Sequence, residues 1–426
     1  MSAALMAQMS GLLAEMTNGA ASGTGIVPLL GLTKTYLGLS DVHQLPDYLI
    51  VGVKELQQAQ FGSYPDTSDV APSAVFVATF FILCCGHLGM FIANRSRGHK
   101  FYMSLAFAFY CLMRWIGFAM RIAWAKDILK LQVGLASEVF LIIPTVLLAS
   151  FNLVLAQRLF TWKHPIGGTK KWFWWIMLAL YSVVLGVVLM AIIAGVVPYL
   201  YFLSQKHYDM CRNVMKVASV CIVLYSLLAL ILVAAAFAVP TAAVDREALI
   251  YQPFWIKSFS PFYFPPKDAS KTGEALFVRR HAGDSRVPIR TVVGAGMKLI
   301  DKKEEPESEE LNQYEQSGAD KFTLKHNKSI LIVATTTIFV FLGAIFRCVG
   351  VFMDKTYATQ GWIFKPVVMY VLWGALETIV NIIYLVGRID LRFYRPDSIK
   401  GNGLSSASSA GSETEKDAGE PLEVTV

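Results

Sequence analysis

Apolar residues in this chain neither alternate nor return to one helical face; they run on in long blocks. Seven such blocks occupy residues 71–93, 101–123, 134–156, 172–197, 213–239, 328–353 and 366–387. Each matches the ~20 residues that a helix needs to cross a ~30 Å hydrocarbon core. A helix is the open-chain structure that satisfies its own backbone in lipid, so the pattern predicts an all-α bundle of seven transmembrane helices. Weaker patterning over 3–16 and 43–60 predicts two short helices in the segment before the first span. Pro144 inside the third span predicts a kink.

The stretches between blocks divide the remainder. Residues 1–70 form a modestly acidic segment, with Lys34 and Lys54 against six acids, too small and weakly patterned for a ligand-binding ectodomain. The fifth loop, 240–327, opens with YQPFWIKSFSPFYFPP at 251–266, whose prolines forbid a regular helix and whose aromatics suit a head-group region. Past 267 the loop is charged and mixed, with KKEEPESEE at 302–310, and reads as disordered; the Ser- and Gly-rich tail from 388 to 426 reads the same way. Ser308 lies among acids, where an acid-directed kinase would act, although a solvating linker has the same composition.

Composition agrees with the blocks. The 426 residues are 55% hydrophobic and 16% charged, with a mean hydropathy of +0.49, whereas soluble domains are about 25% charged. Five of six cysteines lie inside the blocks, which argues against a disulfide framework; Cys211 and Cys348 are a candidate pair. The net charge of +7 comes from basic residues flanking apolar runs, so it does not signal nucleic acid. The loops after spans one, three and five, with the tail, hold 26 of the 38 Lys and Arg, against nine on the other side. Positive loops stay in the cytosol, which predicts an N-terminus outside and a C-terminus inside. Residues 1–33 contain no Lys or Arg, so no signal peptide is expected and the first span is the insertion signal. Trp172, Trp174 and Trp175 begin span four, and Tyr199, Tyr201 and Phe202 follow it, as interfacial belts require. The sequons at Asn94 and Asn327 fall on the cytosolic side of this arrangement and are expected to stay unmodified.

Charges within a membrane cost about 2.5–3.5 kcal/mol each on insertion scales, so each needs a partner or a wet cavity. The spans hold Arg114, Arg121, Glu138, Arg347 and Glu377, all in the half of the bundle nearer the outer side. One reading gathers them into an outward-opening cavity with one excess positive charge, suited to an anionic or zwitterionic head group. The other makes them structural, with Arg121 or Arg114 pairing Glu138, and Arg347 pairing Glu377. His87, Asn152 and Asn381 are expected to make interhelical hydrogen bonds. A zinc hydrolase would need several histidines in the spans, where only His87 lies, and neither G-x-S-x-G nor a P-loop occurs. The expectation is therefore a non-enzyme with no cofactor or metal. Rhodopsin-like motifs are missing too: span three ends AQRLF, and span six lacks C-W-x-P.

The segments YPDTSDVAPSAVF (64–76), NRSRGHKFYMSLAFAFYCLMRWIGFAMRIAWAKDIL (94–129), SFNLVLAQRLFTWKHP (150–165) and VVPYLYFLSQKHYDMC (196–211) resemble an uncharacterised family of fungal seven-helix membrane proteins. That resemblance implies topology and a fungal source. A more distant similarity is to the fungal lipid-translocating exporter family linked to sphingoid-base release. Arg114, Gly117, Phe118 and Arg121 occupy the places of its Glu-x-x-Gly-Tyr-x-x-Arg pattern, and Pro144, Ala149, Ser150 and Arg158 resemble its third helix. Its acids are replaced by Arg114 and Gly350, so the negative charge suited to a cationic sphingoid base is lost. The expectation carried forward is a membrane protein that binds, and transfers between leaflets, an amphipathic lipid-like molecule through Arg114, Arg121, Arg347, Glu138 and Glu377. The alternative is a receptor-like sensor signalling through the fifth loop and tail to a cytosolic partner.

Overall fold

The computed structural model describes residues 15, 17–164, 167–168, 170–240, 264, 267 and 327–393. Ser308, most of the fifth loop and the tail beyond Phe393 lie outside them. Seven long helices carry the apolar blocks: α3 (Val70–Ser96), α4 (Met103–Lys126), α5 (Leu131–Lys163), α6 (Lys171–Leu200), α7 (Gln205–Ala238), α8 (Asn327–Met353) and α9 (Pro366–Val386). All seven are long and apolar enough to cross a membrane. Two shorter helices precede them, α1 (Ile26–Tyr36) and α2 (Asp47–Leu56), and α10 (Ile389–Arg392) follows. No strand occurs among the described residues, only an isolated antiparallel bridge between Gln58 and Thr356.

Several bounds differ from those the hydropathy predicts. Helix α7 starts eight residues before the expected 213, because its first two turns, QKHYDMCRN, are too polar to register as a span yet remain helical. Helix α2 falls inside the expected 43–60, α1 was not foreseen, and 3–14 lie outside the described residues. The chain after 387 does not enter a loose tail at once. Arg388 takes a left-handed conformation (φ 49°), and α10 then packs beneath the bundle, with Ile389, Leu391 and Phe393 all buried.

Helix α5 runs unbroken through Pro144. Proline cannot donate to the carbonyl four residues earlier, here that of Phe140. That carbonyl sits against Gly117 of α4, where a Cβ would lie 3.2 Å from it. The missing side chain brings the two backbones together, and Ser137 donates to the Gly117 carbonyl at 2.9 Å. In α9, residues Tyr370–Leu376 form a π-helical segment, a local insertion that recurs at functional sites.

The N-terminal segment forms a cap across one end of the bundle. Its residues bond to all three loops at that end: Ala21 N to Leu203 O at 2.8 Å, Ala59 N to Lys355 O at 2.8 Å, and Tyr357 N to Gln57 O at 2.8 Å. His43 reaches the third, between α4 and α5, with its ring nitrogens 3.1 Å from Asp41 and 3.1 Å from Asp127. Hydrogen bonds to Asp127 and Asp41 raise the His43 pKa, and the bond from His43 lowers that of Asp127. Gly62, at φ +91°, packs so closely on Met369 that a Cβ would overlap that side chain.

Candidate functional site

The five ionisable residues expected within the spans separate into a closed pair and an open group. Arg114 and Glu377 make the closed pair, midway along α4 and α9. The guanidinium meets the carboxylate with two bonds, Nε to Oε2 at 2.7 Å and Nη2 to Oε1 at 2.5 Å. Its remaining hydrogens go to the Leu141 carbonyl at 2.6 Å and Thr145 Oγ1 at 2.8 Å, while Tyr110 and Thr145 donate to Glu377. The close approach of α4 to α5 at Gly117 brings Leu141 and Thr145 within reach. Arg114 is fully buried and Glu377 2% exposed. A charge pair with this many bonds offers nothing to a ligand, and Glu377 is the partner of Arg114 and not of Arg347.

Arg121 has a second structural duty. It donates to the Gly62 carbonyl at 2.6 Å, and its Nη atoms lie 3.5 Å from Asp69 and 3.5 Å from Glu138. Tyr370 joins by donating to Asp69 at 2.7 Å. Arg121 thus ties the cap to α4, α5 and α9.

The open group lines a cavity of about 140 Å³ between α5, α6, α7, α8 and α9, covered by Gln58–Phe61 of the cap. That is the room of about five waters at ~30 Å³ each, enough for a polar head group and too small for a whole lipid. Its wall is largely apolar, with Ile142, Val196, Phe364 and Trp373 among the lining residues. Polar groups are few: Glu138 from α5, Tyr199 from α6, Tyr208 and Arg212 from α7, Arg347 from α8, and Gln58 and Gln60 from the cap.

Arg347 is the distinctive member. It is 8% exposed and has neither a hydrogen bond nor an ion pair among the described residues; Glu138, in the same wall, lies more than 4 Å away. The other buried guanidinium groups among the described residues each make at least one hydrogen bond or ion pair, although Arg212 Nε has no partner. Other wall atoms are short of partners as well. Trp373 Nε1, Glu138 Oε1 and Gln60 Oε1 are buried without a hydrogen bond, although Glu138 keeps its 3.5 Å ion pair with Arg121. Arg212 is held by an ion pair with Asp354, which sits at the end of α8 in a left-handed conformation (φ 49°).

Sequence reasoning missed Arg212, because it lies one residue before the expected span, and Trp373, because an apolar run hides an indole N–H. It also placed Tyr199 in an interfacial belt, whereas the ring turns inward and its hydroxyl accepts from Gln60 at 2.9 Å. Trp172, Trp174 and Trp175 are exposed, as a belt requires. All six cysteines are free, so Cys211 and Cys348 are not bridged. No cluster of metal-ligating side chains occurs among the described residues. Asn152 makes the interhelical bonds expected of it, accepting from Thr336 at 2.9 Å and Tyr384 at 2.6 Å.

Seven helices, each long and apolar enough to cross a membrane, mark a multi-pass integral membrane protein. The chain belongs to the family described as "Protein of unknown function (DUF3112)", which matches residues 165–394 and so takes in Arg212, Arg347, Trp373 and Glu377. No curated protein and no solved structure matches it.

Proposed function

We propose that this membrane protein binds the head group of an amphipathic, lipid-like molecule in the capped cavity. The observation that carries the reading is Arg347, a buried cation with no hydrogen bond or ion pair among the described residues, at the wall of a cavity sized for a head group. Leaving a charge buried and unpaired costs several kcal/mol, so a resident acceptor of negative charge is the natural complement. The apolar remainder of the wall suits the first methylenes beyond such a head group. Of the five residues expected in the site, Arg347 and Glu138 line the cavity; Arg121 positions Glu138, and Arg114 with Glu377 supports the bundle below. Transfer of the bound molecule between leaflets is the second half of the proposal. It is supported by the buried polar residues Asn381 and Tyr384 that α9 carries below the cavity. In the membrane the cavity end faces outward, in keeping with the Lys and Arg distribution.

The test is mass spectrometry of lipids that copurify with the full chain in detergent, wild type beside Arg347→Gln. A specific anionic or zwitterionic lipid enriched on the wild type and depleted at least tenfold on the variant is the expected result. Bulk lipid alone on both proteins, with both still folded, would sink the proposal.

A further inference from the structure

The unsatisfied atoms of the cavity wall are of two kinds. On the donor side are the guanidinium of Arg347, which makes no hydrogen bond or ion pair among the described residues, the indole Nε1 of Trp373 and Arg212 Nε; on the acceptor side are Glu138 Oε1 and Gln60 Oε1. Buried polar atoms without partners are rare in folded proteins, and several around one cavity describe the complement that is absent. A purely anionic head group would satisfy the donors and leave a carboxylate and an amide oxygen facing it. A purely cationic one would satisfy the acceptors and leave Arg347 bare. Unpaired donors and unpaired acceptors in one wall call for a ligand carrying both an acidic group and N–H donors.

Resting on the head-group reading above, we infer that the cavity selects a zwitterionic head group with a primary ammonium: its phosphate accepts from Arg347 and Trp373, and its ammonium donates to Glu138 and Gln60. The primary ammonium is the discriminating part. Glu138 Oε1 and Gln60 Oε1 are hydrogen-bond acceptors, and a quaternary ammonium has no N–H to give them, although it carries the same charge. The covering residues Gln58–Phe61 bring Gln60 to the site, so the cap is part of the recognition surface. Arg121 takes part as a positioning residue: its 3.5 Å approach to Glu138 orients that carboxylate without completing a hydrogen bond to it.

The experiment uses the full chain in detergent and follows binding by native mass spectrometry. Its probes are lysophosphatidylethanolamine, lysophosphatidylcholine, lysophosphatidic acid and O-phosphoethanolamine, which has the head group but no chain. Wild type is expected to bind lysophosphatidylethanolamine at least tenfold more tightly than the choline and phosphatidic acid forms, since each lost charge-assisted bond is worth about tenfold or more. In Glu138→Gln the preference over the choline form should collapse while phosphatidic acid binding is kept, and Arg347→Gln should lose all four. Equal binding of the ethanolamine and choline forms by the wild type overturns the inference, and needs no variant to fold. If Arg347→Gln still abolishes binding in that case, the head-group site itself survives; if folded Arg347→Gln binds as wild type does, the site falls as well. O-phosphoethanolamine binding as tightly as its lysolipid keeps the zwitterion assignment and moves the ligand from lipid to free solute.

Discussion

Two arginines that look alike in the sequence have opposite surroundings. Arg114 gives hydrogen bonds to Glu377, Leu141 and Thr145, whereas Arg347 gives none among the described residues. Removing one member of a buried pair strands the other charge and costs about 3–5 kcal/mol, while replacing both by apolar residues of similar volume is often neutral. Arg114→Gln should therefore reduce thermal stability in detergent sharply or prevent accumulation, and the double variant Arg114→Met with Glu377→Leu should recover most of the loss. Arg347→Gln should leave stability unchanged or improved. Melting monitored by size-exclusion chromatography checks all three, and a destabilised Arg347→Gln beside a tolerated Arg114→Gln would reverse the assignment. The presence of five costly charges could be read from hydropathy alone. Their pairing could not, because which side chains meet depends on helix rotation and on the approach that Gly117 allows, neither of which has a linear signature.

At the scale of elements, span number and position were legible because lipid imposes a length on apolar runs. Ends were less so. The first turns of α7 are polar for a local reason, their place beside the cap and the α8–α9 loop, where Arg212 and Lys216 both pair Asp354. The π-helical segment of α9 was invisible, since no residue type demands it. Elements also decide what the two sequons report. Asn94 lies in the last turns of α3, 1% exposed, with its amide nitrogen donating to Asp390 at 2.7 Å. No transferase can reach that nitrogen in the folded protein. Asn327 is exposed at the start of α8, so it is the informative site. Expression in cells that glycosylate should give a protein with no enzyme-sensitive shift on a gel, for wild type and for Asn327→Gln alike. A shift removed by Asn327→Gln would place that end of the bundle outside and invert the orientation.

At the largest scale, the described residues form a bundle closed at one end by the N-terminal segment. Residues 1–70 read as weakly patterned because the cap is held mainly by backbone bonds and single polar contacts, which leave little periodicity. One of those contacts titrates. His43 has its pKa raised by Asp127 and Asp41, so its protonated form favours the capped state. That contribution is complete below the unfolded value near 6.5 and fades as pH rises through the raised value. Asp127, with its pKa lowered, loses its share only at acid pH, below about 3.8. Protection factors for hydrogen exchange over 42–56 should fall as pH climbs through the His43 titration, and His43→Ala should be less protected at every pH below it; wild-type protection that stays flat between pH 5 and 8 would refute the tie.

Gln57, Gln58 and Ala59 pair with Lys355, Thr356 and Tyr357, nearly three hundred positions later in the chain. Their partners emerge from the ribosome just before the final span. The cover of the cavity is thus synthesised first while one of its three ties is made late, and a nascent chain that ends between Arg347 and Lys355 carries the arginine without that tie. Asp127 and Leu203 precede that loop in the chain, so the α8–α9 connection supplies the last of the three attachments rather than the first.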